Sequence, residues 1–243
     1  MKNSDRWTVV DTGISKPQEN MRIDKELLDE LSPDSNMILH IYGWQGDCAT
    51  YGHFVSPFDF LSEEGVLKRN LKLAKRPTGG GIIFHIWDLA FSVLVPSSSS
   101  HFSDNTLANY KFINNGVLSA SKEFLKTTMD LEIIPEDFTP IDASCKRFCM
   151  AQPTKYDVVL GGKKIAGAAQ RKTNKGFLHQ GSISLMMPCP EYLSDVLLPH
   201  THVLDAMMIN TFPLMGNRQA REELLQAREI MQNLLIKHLT GEI

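Results

Sequence analysis

Apolar and polar side chains alternate over residues 7–12, which predicts a strand. Ser15-Lys16-Pro17-Gln18 then supplies a capping residue, an early proline and a capping-box glutamine, so a helix is expected from about Pro17 to Leu31. Asn20 and Asp24, at i and i+4, read as part of its solvated face. Met37 to Trp44 alternates again, and Ala49 to Phe54 is expected to pair with it across Gly46-Asp47 as a hairpin. Ser56-Pro57 opens a short helix, Leu71 to Ala74 is extended, and strands resume at Ile82 after Pro77-Thr78-Gly79-Gly80-Gly81.

Asp104 is positioned to cap a helix over 105–125, with Leu107, Tyr110, Ile113, Val117 and Leu118 facing inward. Two strand-like runs, Tyr156 to Leu160 and Lys163 to Gly167, flank Gly161-Gly162, the clearest hairpin signature in the chain. Phe177 to Met186 is a further strand, ended by Pro188-Cys189-Pro190, and the remainder is helical. Its last segment, Ala220 to Leu239, sets Leu224, Ala227, Met231, Leu234 and Leu235 on one face and should dock on a core. There is no fixed-period repeat, low-complexity region or evident linker.

Composition narrows the function classes. The 243 residues are 42% hydrophobic and 22% charged, and 25 basic against 28 acidic residues give a net charge of −3. That balance removes the electrostatic case for nucleic-acid binding. The opening Met1 to Arg6 lacks a basic start with a long apolar run, and the apolar stretch from Ile82 to Val95 falls short of a bilayer span. A cytoplasmic protein with no membrane association is expected. Cys48, Cys145, Cys149 and Cys189 have no zinc-like spacing, so free thiols and no bound metal are expected.

Several residues carry candidate chemistry. Arg76, Thr78 and the Gly79-Gly80-Gly81 run lead into a buried strand, where glycine backbone could approach an anion; a flexible connection is an equal reading. Lys164 faces Val159 across the hairpin and is diagonal to Asp157. A cross-strand ion pair explains it as well as a role in stabilising a developing oxyanion. Cys149 reads either as a small buried hydrophobe or, beside a lysine, as an acyl-accepting thiolate. His179-Gln180-Gly181-Ser182 reads first as hydrogen-bonded strand residues, and His85 as a satisfied core histidine.

Taken in order, five blocks resemble the biotin/lipoate protein ligase superfamily, in its lipoate–protein ligase A branch. They are Glu19-Asn20-Met21, Tyr42-Gly43-Trp44 with Tyr51-Gly52, Arg76 through His85, Tyr156-Asp157-Val158-Val159 with Gly162 through Arg171, and Gly176 through Ser182. The resemblance implies an α/β (α+β) fold with a mixed, mainly antiparallel central sheet flanked by helices. It implies a catalytic domain over 1–190 and a helical extension over 191–243, too short for a full accessory domain.

It also implies an enzyme that joins a lipoyl or octanoyl chain to one lysine of a lipoyl domain, in 2-oxoacid dehydrogenase complexes or the glycine cleavage H protein. Arg76 and the glycine loop would meet the acyl carboxylate or an adenylate phosphate, and Lys164 the acyl carbonyl oxygen. Gly167, Gln170, His179, Gln180, Gly181 and Ser182 would line the acyl or nucleotide pocket. Ligases of this kind activate lipoate with ATP and Mg²⁺; transferases instead pass the chain from an acyl carrier protein through a cysteine. The intact glycine run favours a ligase. Cys149, seven residues before Tyr156, favours the transferase as alternative, and a non-catalytic binder of lipoyl domains is the third reading.

Overall fold

The computed structural model describes residues 5–127, 131–137, 139–199, 201–216 and 220–241, so the reading of the first four residues lies outside the described residues. Among the described residues ten strands form two sheets. The larger contains β1 (Trp7–Ser15), β2 (Met37–Trp44), β6 (Asp88–Pro96), β10 (Gly176–Ser184), β9 (Lys163–Lys172), β8 (Val158–Leu160) and β7 (Leu131–Ile133), adjacent in that order. Only β1 and β2 run parallel, joined by helix α1 (Pro17–Glu30); the other pairs are antiparallel. The smaller sheet has the order β4 (Lys72–Lys75), β3 (Cys48–Tyr51), β5 (Ile82–His85). The expected mixed, mainly antiparallel α/β architecture is the one observed.

The expected hairpin between Met37–Trp44 and Ala49–Phe54 does not form. Both edges of β2 are taken, one by β1 and the other by β6, so β3 has no place to pair and founds the second sheet with β4 and β5. The capping box expected for α1 is also absent. Lys16 is the N-cap without a side-chain bond, and Gln18 donates to the Leu73 carbonyl, tying α1 to β4. Pro17, fixed in φ and lacking an N–H, starts the helix unaided.

Helix α3 (Thr106–Leu125) is capped by Asn105, whose side chain accepts from Leu107 N, while Asp104 pairs with Lys172 instead. Leu107 points outward at 39% exposure, because the buried stripe begins at Asn109 and continues through Ile113 and Val117. Helix α6 (Arg221–Thr240) packs along α3 where Gly116 leaves room: a Cβ there would lie 2.4 Å from Leu239. Together they cover one face of the large sheet, with Ile113, Val117, Met231 and Leu235 against Leu39, Phe91 and Phe177.

The second core joins Phe84, Phe148 and Leu61 to α2 (Glu63–Lys68), α4 (Pro190–Val196) and α5 (Val203–Asn210). Residues beyond 190 therefore feed both cores. No helix among the described residues is long and apolar enough to cross a membrane.

The glycine hairpin forms as expected. Gly161 and Gly162 have φ of +55° and +74°, the pair of left-handed residues that a two-residue turn of this twist needs. Val159 faces Lys164, but Val158 faces Ala166, so Ile165 is an extra residue in β9. Such a bulge has a consequence for the side chains around it.

Candidate active site

The chain crosses from the small sheet to the large one at Ile86-Trp87. Trp87 adopts φ +63°, uncommon for a bulky residue, and its carbonyl accepts from Leu185 and Met186 N–H groups. This tight passage sets His85, at the end of β5, against Asp88, at the start of β6. His85 Nδ1 lies 2.6 Å from Asp88 Oδ2, which also accepts from Ser182 Oγ at 2.6 Å, and His85 Nε2 lies 2.8 Å from Thr50 Oγ1. Trp44 covers the imidazole, ring centres 4.2 Å apart. The satisfied histidine read from sequence is present, and it walls a cleft of about 340 Å³ between the two sheets.

Arg76 is buried, and the glycine loop closes around it. Its Nη1 donates to the Thr50 carbonyl and hydroxyl, and its Nη2 to the carbonyls of Gly79 and Gly81. The guanidinium thus clamps the loop rather than standing free for an anion; its Nε alone is without a partner. Gly81 has a steric reason to lack a side chain. A Cβ there would lie 2.1 Å from the Arg147 carbonyl oxygen, because the segment leading to Cys149 runs against β5, with Cys149 N donating to the Ile82 carbonyl. The third glycine, taken from sequence as a ligase feature, serves to seat the cysteine segment. At Gly80, φ +84°, a Cβ would stand 3.9 Å from Cys149 Sγ.

Lys164 reaches the same place from below. Residues three apart on a regular strand face opposite ways, but the bulge at Ile165 turns Lys164 and Gly167 to one side. A Cβ on Gly167 would meet Lys164 Nζ at 2.9 Å and the Cys149 carbonyl at 3.9 Å, so only glycine lets the ammonium pass. Lys164 is 3% exposed and its Nζ lies 2.6 Å from Asp157 Oδ2. Of the two sequence readings the cross-strand ion pair is the one observed, and it lies behind Gly167 of the cleft wall. Burial pushes the Asp157 carboxyl up, opposed by the Lys164 ammonium and by the N–H and hydroxyl of Thr154.

The cysteines differ. Cys48 and Cys145 are buried, and burial is the main cause raising both thiols, Cys145 to about 11. Cys149 is half-buried and lines the cleft. All four are free thiols, as expected.

Asn20 and Asp24 overturn the reading of a solvated helix face. Both are fully buried: Asn20 Nδ2 donates to the Gly43 carbonyl, and Asp24 accepts from His40 Nδ1, Tyr42 Oη, Ser92 Oγ and Gln180 Nε2. Four donors compensate a carboxylate that would otherwise be costly to bury. Gln180, so held, presents Oε1 to the Thr78 hydroxyl at 2.6 Å and connects α1 to the glycine loop. The missed signal was spacing, because Asn20 and Asp24 share a stripe with Pro17, Met21 and Leu28.

Of the residues singled out, Arg76, His85, Cys149, Gly167, Gln180, Gly181 and Ser182 line the cleft, with Gly79, Gly80 and Gly81 beside it. Thr78 and Lys164 are not among its lining residues, and neither are Gln170 and His179. The last two pair across β9 and β10 on the opposite face, where Gln170 Nε2 donates to His179 Nδ1 beneath the rings of Phe91 and Tyr110. Sequence reasoning passed over Thr50, Asp88 and the apolar walls Met21, Tyr42 and Ile83.

Burial pulls the His179 imidazole down to about 3, so it stays neutral in the folded protein. Unfolded, it takes a proton below about pH 6.5. Stability from this group is therefore complete above that pH and is lost as pH falls, by about 1.4 kcal/mol per unit until the native value is reached. Urea unfolding at pH 7 and pH 5 should show this slope, and His179→Gln should remove that share of it; an equal slope in the variant would refute the assignment.

Solved structures agree on the fold. The bi-partite lipoate protein ligase of Thermoplasma acidophilum, studied with its E2 lipoyl domain, matches with TM-score 0.69 at 18% identity over 97% of this chain and 83% of that one. The family model for the lipoyl protein ligase A/B catalytic domain matches residues 16–234, and the chain belongs to that family, whose enzymes attach lipoyl or octanoyl groups to protein. In sequence it is 26% identical to octanoyltransferase LipM of Bacillus subtilis over 93% of this chain and 81% of that protein. It is 29% identical to octanoyltransferase LipM of Geobacillus kaustophilus over 74% and 65%.

Proposed function

We propose that the protein transfers an octanoyl or lipoyl chain from a thioester donor to a lipoyl-domain lysine through a thioester on Cys149. The observation that carries this is the approach of Cys149 Sγ to the glycine loop with the Lys164 ammonium below. Resemblance to LipM octanoyltransferases supports it. The catalytic unit would span 1–190, with the helices of 191–243 packed on it.

In the first step the Cys149 thiolate attacks the donor's acyl carbon. The carbonyl electrons move onto oxygen beside the Lys164 ammonium, then return as the C–S bond to the carrier breaks and the carrier leaves as thiolate, taking up the proton Cys149 gave. One thioester replaces another, so no outside energy source is needed. In the second step the neutral amine of the acceptor lysine attacks the same carbon, Cys149 leaves, and the amine proton balances its charge. Asp157 keeps Lys164 in place, and the apolar walls Met21, Trp44 and Ile83 exclude water around the chain.

The ATP-dependent ligase reading fits less well. Arg76 donates through Nη1 and Nη2 to the protein's own oxygens, so the cation expected to meet a phosphate in the cleft is committed. The test presents apo lipoyl domain with octanoyl carrier protein, or with lipoate plus ATP and Mg²⁺, and reads intact masses. An octanoyl adduct on Cys149 that chases to the lipoyl domain without ATP is expected. Product only with ATP, and no adduct, would overturn the transferase reading.

A further inference from the structure

We infer that a basic groove beside the cleft docks the donor: an acidic carrier protein whose acyl thioester hangs from a phosphodiester-linked pantetheine arm. The inference rests on the transferase reading for the identity of the donor. An open groove of about 840 Å³ lies between α1 and β4 and shares Met21 and Arg76 with the acyl cleft, so the two adjoin. Its lining includes Arg22, Lys25, Lys75, Arg76 and Arg171 together with His53 and, among the described residues, no carboxylate. On a chain of net charge −3 this is a local reversal of sign.

The cations are not equivalent. Arg22 pairs with Glu19 and Glu26, and Lys25 with Asp29, along α1. Lys75 is exposed with no ion pair among the described residues, and Arg171 donates to the Pro77 carbonyl at 3.3 Å and feels Asp29 only through space. Lys75 and Arg171 are thus the least committed charges at the mouth. Beside His53 stands Phe54, 91% exposed, with the two rings 5.0 Å apart. A bare phenyl at the rim of a charged groove is suited to a protein surface rather than to a free nucleotide.

Sign separates donor from acceptor. The acceptor's reacting group is a lysine that arrives as an ammonium, which Lys75 and Arg171 at the mouth repel. The donor's arm carries a phosphodiester anion upstream of its thioester, and an acidic carrier surface adds to the attraction. The groove leads the arm past Arg76 towards Cys149, leaving the acceptor to approach from elsewhere.

The test reverses the two mouth charges in Lys75→Glu/Arg171→Glu, both outside the cleft. Binding of holo carrier protein, with its free thiol, is measured without chemistry, and Cys149 acylation is then timed with octanoyl carrier protein and with octanoyl pantetheine, which lacks phosphate. About tenfold or more weaker carrier binding is expected, with a matching loss in acylation by the carrier at low concentration. Acylation by octanoyl pantetheine and transfer from preloaded enzyme to the lipoyl domain should not change. The milder Lys75→Gln/Arg171→Gln should give a smaller loss of the same kind, with thermal unfolding unaltered.

If no variant alters carrier binding, or if the loss falls on the lipoyl-domain step, the assignment is wrong. Competition by millimolar ATP or coenzyme A as strong as by carrier protein would give the groove to a free nucleotide and overturn it likewise. Because binding is read separately, failure of wild-type Cys149 to acylate would refute the transferase reading while leaving the groove judged on its own result.

Discussion

Cys149→Ser is expected to lower octanoyl transfer from carrier protein to lipoyl domain by at least about 10³-fold in kcat/KM. A thiol provides a few per cent thiolate near neutral pH and is intrinsically nucleophilic, whereas a hydroxyl at the same place has neither property without a dedicated base. The serine would also form an ester, whose alkoxide is a poorer leaving group than a thiolate when the acceptor amine attacks. The exchange of sulfur for oxygen is small and the position is half-buried, so thermal unfolding should stay within about 1 kcal/mol. Initial rates and intact mass together check this. A variant that keeps most of its transfer rate, or that modifies the lipoyl domain only when lipoate and ATP are supplied, would return the protein to the ligase reading.

That outcome bears on an ambiguity that sequence left open. An unbroken Gly79-Gly80-Gly81 pointed to ligase chemistry, and Cys149 pointed away from it. The structure supplies the missing relation, because Gly81 is bare where the Arg147 carbonyl presses on it, two residues before Cys149. The two signals are parts of one packing arrangement. Likewise the carboxylate that holds His85 stands three residues on, at Asp88, brought there by the turn at Trp87. Linear spacing carries no record of such a turn.

What was legible followed from local rules. The Gly161-Gly162 hairpin, the glycine-loop entry to β5, and the apolar faces of α3 and α6 each arise from backbone freedom or helical periodicity within a short window. What was not legible depended on partners far along the chain. Nothing between residues 37 and 54 indicates that β1 and β6 occupy both edges of β2. In β10 every residue from Gly176 to Ser184 is buried, so alternation cannot tell which side chains meet the cleft. Gln180 and Ser182 do, while His179 and Gln170 face α3. Asp24 was hidden by its own chemistry, since a carboxylate on a helix reads as solvated until Gln180, His40, Ser92 and Tyr42 are seen around it.

Sequence reads Lys164 both as an ion-pair partner and as a stabiliser of a developing oxyanion, and a pair of variants separates the two. Lys164→Met is expected to destabilise the protein by about 3–5 kcal/mol, because it strands the fully buried Asp157 without its cation. Asp157 would escape part of that cost by binding a proton, which burial already favours, so the loss should be larger at pH 8 than at pH 5. Lys164→Met/Asp157→Asn removes both charges, and the asparagine oxygen can still accept from Thr154, so most of the stability should return. Acylation of Cys149 should not return with it. An ammonium at the developing oxyanion contributes about 10²–10³-fold to such a step, and neither methionine nor asparagine replaces it. Urea unfolding and the rate of Cys149 adduct formation, measured on the same three proteins, make the comparison. Recovery of both quantities in the double variant would reduce Lys164 to a strut for the hairpin; recovery of stability alone assigns the ammonium to the reacting carbonyl.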